Sequence, residues 1–121
     1  MERANIAIFE DDESLREMLG MIAALYGHDV TAYARSMPEA VAVIETMAAG
    51  EIDVAIVDGN LDRQKIDGHD GAEITRLLHE KFEDTVVIGF SASGDVEGAD
   101  HNIPKAGINP LRDITDLITQ L

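Results

Sequence analysis

Ile52-Asp53-Val54-Ala55-Ile56-Val57-Asp58-Gly59-Asn60-Leu61 contains an unbroken apolar run, Val54 to Val57, that stops at a carboxylate followed at once by glycine. A run with no polar alternation is the pattern of a strand covered on both faces, as in a parallel sheet. Such a strand places Asp58 at its carboxyl end, the edge where open α/β sheets bind their ligands. Asp-Gly is also ordinary turn chemistry. On its own the stretch therefore leaves Asp58 open between a turn residue and an active one.

Working outward, the chain alternates between short apolar runs and amphipathic segments. Asn5–Phe9 is a first strand, ending in Glu10-Asp11-Asp12-Glu13. Ser14 with Glu17 reads as a capping box opening a helix. Leu15, Met18, Leu19, Ile22, Leu25 and Tyr26 recur as one apolar face, and Gly27 is a stop. Residues 29–34 form a second strand. Ser36 and Pro38 open a second helix, whose inner face is Met37, Ala40, Val41, Ile44, Met47 and Ala48 and whose end is Gly50. After the Asp58 strand, a polar loop runs to about Asp70, and a third helix spans Gly71 to Phe82. Thr85–Phe90 is a fourth buried strand leading to Ser91. Residues 93–101 are rich in Gly and Asp and read as a loop. Asn102-Ile103-Pro104 is a short edge strand, since proline suits an edge, and Pro110 opens a last helix. This order implies a doubly wound, five-stranded parallel sheet with right-handed crossovers and helices on both faces, expected as one domain over residues 1–121.

Nine basic against 24 acidic side chains give a net charge of −15. Such a chain is repelled by phosphate backbones and anionic lipid, so direct nucleic-acid and membrane partners are not expected. Two Tyr, three Phe and no Trp make no base-stacking platform. With no cysteine there is neither a disulfide framework nor thiolate chemistry. No apolar run reaches the length of a membrane span and the N-terminus lacks a signal-peptide core, so the expected location is cytoplasmic. His28, His69, His79 and His101 share no metal-ligand spacing and are read as surface or loop residues without a catalytic role.

In a parallel sheet all strand ends of one sense share an edge. Glu10 and Asp11 after the first strand, Asp58 after the third, Ser91 after the fourth and Lys105 after the fifth thus converge. Clustered carboxylates repel and raise one another's pKa. A divalent cation relieves this, and an all-oxygen ligand set suits Mg²⁺. Lys105 adds a positive charge and Ser91 a hydroxyl, both suited to phosphate oxygens. A carboxylate held there is a competent nucleophile toward phosphorus.

At this point the chain resembles a family. Ile6-Ala7-Ile8-Phe9-Glu10-Asp11-Asp12-Glu13-Ser14-Leu15-Arg16-Glu17-Met18-Leu19 resembles the opening of receiver domains of two-component response regulators. Ile56–Leu61 resembles their phosphoacceptor strand, Asp70-Gly71-Ala72-Glu73 the start of their third helix, and Ile88–Ala92 their hydroxyl strand. Gly98-Ala99-Asp100 with Ile103-Pro104-Lys105 resembles the segment around their lysine. The resemblance implies a flavodoxin-like receiver fold. It further implies Asp58 as phosphoacceptor, and Mg²⁺ held by Glu10, Asp11, Asp58 and the backbone carbonyl of Asn60. Ser91 and Lys105 would contact the phosphoryl group, which would come from a sensor histidine kinase or a histidine phosphotransfer protein. Output would pass to another, unnamed protein.

The chain also departs from that pattern. Only residues 92–104 separate Ser91 from Lys105, where receivers place a whole helix, so that fourth helix is expected to be missing or reduced to a turn. Asn102 stands at the aromatic switch position. Ala106 replaces the proline that follows the lysine, and a cis bond before Ala costs about 3 kcal/mol. The loop after Asp58 is several residues longer than usual. Its Asp62, Arg63, Gln64 and Lys65 read either as a lid or partner contact beside the site or as a solvated insertion.

Three functions fit these residues. The first is a phosphoacceptor signalling module that also hydrolyses its own acyl phosphate and is otherwise not an enzyme. The second is a pseudo-receiver acting as a phosphorylation-independent interaction domain, favoured by the missing helix and Asn102. The third, ranked last, is a Mg²⁺-dependent aspartyl phosphohydrolase, because Asn60 stands where such enzymes carry a second Asp.

Overall fold

The computed structural model describes residues 1–61, 69–92 and 94–121. Strands β1 (Asn5–Phe9), β2 (Asp29–Ala34), β3 (Val54–Val57), β4 (Val86–Ser91) and β5 (His101–Pro104) form one sheet in the order β2-β1-β3-β4-β5, every pair parallel. Helices α1 (Glu13–Leu25), α2 (Met37–Thr46), α3 (His69–Lys81) and α4 (Pro110–Gln120) connect and cover it. This is the doubly wound, five-stranded flavodoxin-like fold that the alternation of runs implies. No described helix is long and apolar enough to cross a membrane.

Side-chain alternation along the strands feeds two cores. Ala7, Phe9, Ala55, Val57 and Val87 pack with Ala40, Ile44, Ile74 and Leu78 of α2 and α3. Ile6, Ile8, Val54, Ile56, Ile88 and Phe90 pack with Leu19, Ala23, Ile114 and Ile118 of α1 and α4. Each fully buried Ile or Phe contributes about 2 kcal/mol of transfer free energy. With both faces covered, a one-residue slip would only exchange one core for the other's residues, so shape and strand-end chemistry, not polarity, hold the register.

Several local expectations need correction. The N-cap of α1 is Asp12, whose carboxylate accepts from the Leu15 N–H at 3.1 Å; Ser14 lies inside the helix. Asp12 and Ser14 are both cap-type residues, and the tight exit from β1 puts the earlier one at the cap. Leu19 and Ala23 are the buried residues of α1, while Met18, Met21 and Leu25 are exposed. The helix lies over the β2 side of the sheet and shares that face with α4, which lies toward β5. His28 is buried: its Nδ1 accepts from the Ala4 N–H at 3.0 Å, so the imidazole closes the start of β1. As read from the sequence, Gly27 does end α1, with φ +84°, and Ser36 caps α2 by accepting from the Glu39 N–H.

The connection from β4 to β5 carries no helix among its described residues, only bends and a turn. Parallel strands are ordinarily joined through a covering helix. Here one side chain does that work: Val96, 2% exposed, enters the α2/α3 core above Gly89. A Cβ on Gly89 would collide with Val96 and with Asn102 Oδ1. Asn102 Oδ1 in turn accepts from the Val96 N–H at 2.8 Å. The glycine makes a niche, valine fills it, and asparagine fixes the loop backbone over it. Asp100 ties the same loop down, accepting from the Val87 N–H at 2.8 Å and meeting His79 Nε2 at 3.0 Å.

Candidate functional site

The carboxyl ends of β1, β3, β4 and β5 meet at one edge. Pairing of Phe9 with Val57 puts Glu10 and Asp58 side by side, and the Asp58 N–H donates to Phe9 O at 2.9 Å. Pairing of Ser91 with Pro104 brings Lys105 next to Ser91, whose carbonyl accepts from the Lys105 N–H at 3.2 Å. Carboxylate oxygens of Glu10, Asp11 and Asp58 lie within 4.8 Å of one another. Lys105 Nζ reaches Glu10 Oε1 at 2.8 Å and Asp58 Oδ2 at 3.1 Å. The ammonium also stands 5.6 Å from the Phe90 ring centre, a cation–π contact.

Glu10 and Asp58 are nearly sealed from solvent, at 1% and 8% exposure. Burial, then the adjoining Asp58 carboxylate, push the Glu10 carboxyl up to about 9 against the opposing pull of Lys105. Burial alone would lower the Lys105 pKa, but Glu10 and Asp58 outweigh it and raise it. Three carboxyl groups share one ammonium, and the raised Glu10 pKa marks a cluster short of positive charge. The donors are hard oxygens, a set that fits a divalent cation of the Mg²⁺ type and not a soft metal.

Of the residues singled out from the sequence, Glu10, Asp11, Asp58 and Lys105 are brought together directly. Ser91 closes the edge from β4, buried at 7% exposure. Asn60 follows two residues after Asp58, at the exit of β3. Asp62, Arg63, Gln64 and Lys65 lie outside the described residues. The Lys105–Ala106 peptide is trans. His101 opens β5, at the far end of that strand from Lys105.

Four supporting residues escaped the sequence reading. Gly59 is where Ser91 approaches: its Oγ lies 2.8 Å from the position a Gly59 Cβ would take. Gly71 lets α3 seat against the end of β3, since a Cβ there would come within 2.6 Å of Asp58 O and 2.9 Å of Gly59 Cα. Its N–H donates to Gly59 O at 2.9 Å. Asp70, buried in the first turn of α3, accepts from the Leu61 N–H at 3.0 Å. Arg16 reaches back from α1 to donate to Glu10 O at 2.8 Å. Asp58-Gly59 was visible as turn chemistry and Asp70-Gly71 through the family resemblance, but only the packing shows why glycine is required.

The receiver-domain model of response regulators matches residues 6–111. The chain belongs to that family. Receivers are signalling modules of two-component systems. A search of curated proteins finds no match. Among solved structures, a CheY-like receiver domain protein of Methanospirillum hungatei is similar at TM-score 0.75 and 23% identity, covering 99% of this chain and 92% of that one. CheY6 of R. sphaeroides, solved with the phosphorylated P1 domain of CheA3, is similar at TM-score 0.69 and 18% identity, covering 98% of each chain. NtrX of Brucella abortus is similar at TM-score 0.72 and 19% identity, but this chain spans only 26% of it. At these identities the likeness is one of fold.

Proposed function

We propose that this receiver accepts a phosphoryl group on Asp58, with Mg²⁺ held by Glu10, Asp11, Asp58 and the carbonyl of Asn60. The observation that carries the reading is Lys105 Nζ bridging Glu10 and Asp58 inside a buried, charge-deficient carboxylate cluster. When bound, Mg²⁺ supplies neutralisation of the carboxylates and of the transferring phosphoryl oxygens. Within this reading, Asp58 Oδ attacks phosphorus as the P–N bond of a phosphohistidine breaks, the imidazole leaving with the bonding pair. Lys105 transfers part of its pairing from Asp58 to the new phosphoryl oxygens, and Ser91 Oγ donates to one of them. Water later attacks phosphorus, the O–P bond breaks and the Asp58 carboxylate returns.

A sensor histidine kinase or a histidine phosphotransfer protein is the donor this site suits. CheY6, which this chain resembles, was solved with a phosphorylated P1 domain. Here α1 starts three residues after Glu10 and exposes Met18, Met21 and Leu25 at helical spacing, an apolar stripe for a donor helix. Output passes to another protein. We place the location as cytoplasmic, as the phosphodonor requires.

The test is intact mass after incubation with Mg²⁺ and a small-molecule phosphodonor. One added phosphoryl group is expected on the native chain and none on Asp58→Asn. No adduct, together with no Mg²⁺-dependent beryllofluoride binding, overturns the proposal. That result would favour the pseudo-receiver reading, which the helix-free β4–β5 connection supports.

A further inference from the structure

Among the described residues no helix joins β4 to β5, and the outer side of α3 stays open there. Between α3 and the segment after Gly94 runs a groove of about 780 Å³. Its walls are Glu73, Thr75, Arg76 and Glu80 of α3, facing Glu97 and Gly98. It lies on the flank of the molecule, and none of the site residues lines it.

We propose that this groove docks a basic amphipathic helix of a partner protein, laid along α3 where a covering helix is missing from the layer. Three observations point there. The lining carries three carboxylates against one guanidinium and the imidazoles of His69 and His79; Arg76 is already paired with Glu73 at 2.5 Å and Glu80 at 2.6 Å, and His79 with Asp100 at 3.0 Å. Thr75, 1% exposed, has a buried hydroxyl with no hydrogen-bond partner among the described residues, an oddity on a finished surface. The α3 stretch that lines the groove, from His69 to Glu80, offers about 16 Å, the length of about three helical turns. A second copy of this chain is a poor occupant, because each copy carries a charge of −15. Nucleic acid is excluded on the same ground. The segment that forms the far wall is fixed by Asn102 and Asp100 and begins at Ser91, so an occupant would sit one loop from the site. The docking itself goes beyond the phosphoacceptor reading and does not depend on it.

The probe is a labelled helical peptide of about 14 residues with Leu at i, i+3, i+4 and i+7 and Lys elsewhere, followed by anisotropy. Its controls are the same composition in scrambled order and the same order with Glu for Lys. The ordered basic peptide should bind about tenfold more tightly than the scrambled one, and the acidic one should not bind. Glu73→Lys with Glu97→Lys should weaken binding about tenfold, whereas Glu2→Lys with Glu17→Lys, equal in charge but away from α3, should change it less than about twofold. Ala72→Trp, which fills the groove without altering charge, should weaken it as well. Amide shifts on ¹⁵N-labelled protein should centre on residues 72–80 and 97–98. Equal binding of the scrambled peptide, equal loss in the distant pair, or shifts centred on α1 would each overturn the proposal.

Discussion

The two halves of the sheet are built differently. Around β1 and β3, both strands are buried on both faces, and the carboxylates are delivered by backbone pairing inside two packed cores. Around β5, the strand is largely exposed, and the connection leading into it rests on Val96, Asn102 and Asp100. The acidic cluster therefore sits on the half that has least freedom to move. Lys105 reaches it from the half that has most. If Asp58 accepts a phosphoryl group as proposed, this division holds the carboxylate still and leaves the freer half of the sheet to respond.

The sharpest way to break the comparison is at its rigid side. Gly71→Val drives a branched side chain into Asp58 O and Gly59 Cα, both backbone, and α3 must move away. A loss of about 3–5 kcal/mol or failure to fold is expected, read by urea unfolding. A change under about 1 kcal/mol would show that the α3 seat is soft.

On the thin side, Val96→Ala should cost about 2 kcal/mol. Its distribution is more telling than its size. Hydrogen exchange should speed up at β5 amides while β1 and β3 stay protected. Uniform acceleration would erase the distinction between the halves.

Mg²⁺ tests the charge deficit. At ten times its dissociation constant it should stabilise the native chain by about 1.4 kcal/mol, a rise of several degrees in Tm. Glu10→Gln, which removes one of the three carboxylates, should shrink that rise. An unchanged melting curve at millimolar Mg²⁺ would count against the metal reading.

The smallest effect lies at the far end of the rigid half from the site, at His28 beside the start of β1. Burial, then the nearby N-terminal ammonium, hold its pKa below the ordinary value of 6.5, while Asp29 pulls the other way. A proton binds more readily to the unfolded chain, so stability from this residue is complete above pH 6.5 and is lost as pH falls through the lowered pKa. His28→Asn keeps an acceptor for the Ala4 N–H and removes the titration. Melting curves between pH 7 and 5 should be flatter for the variant; parallel curves would place the titration elsewhere.

Much of this was legible in the chain because buried strands that end in carboxylates leave a plain signature. Glu10, Asp58 and Lys105 could be brought to one edge by topology alone, and the short span from Ser91 to Lys105 foretold a connection without a helix. What was not legible depends on approach distances. Nothing in the residue order says that Gly59 must yield to Ser91 or that Asp70 turns back to Leu61. Periodicity placed Met18 and Leu25 inside with Leu19, yet the arc that α1 buries is narrower than a run of apolar residues suggests. Asn102 looked like a loss, an aromatic missing from its place. It is instead the acceptor that holds the replacement loop.

The hydrogen bond from Leu61 to Asp70 has one more consequence. It ties the chain on either side of the long segment after β3 at a single neck, beside the Gly71–Gly59 bond. Once a loop is closed at its neck, each doubling of its length adds only about 0.6 kcal/mol of closure entropy. Residues can be added or removed between those two anchors with little effect on where Asp58 points. A change of length there is therefore expected to leave the Asp58 backbone in place, since the two anchors, not the segment between them, fix it.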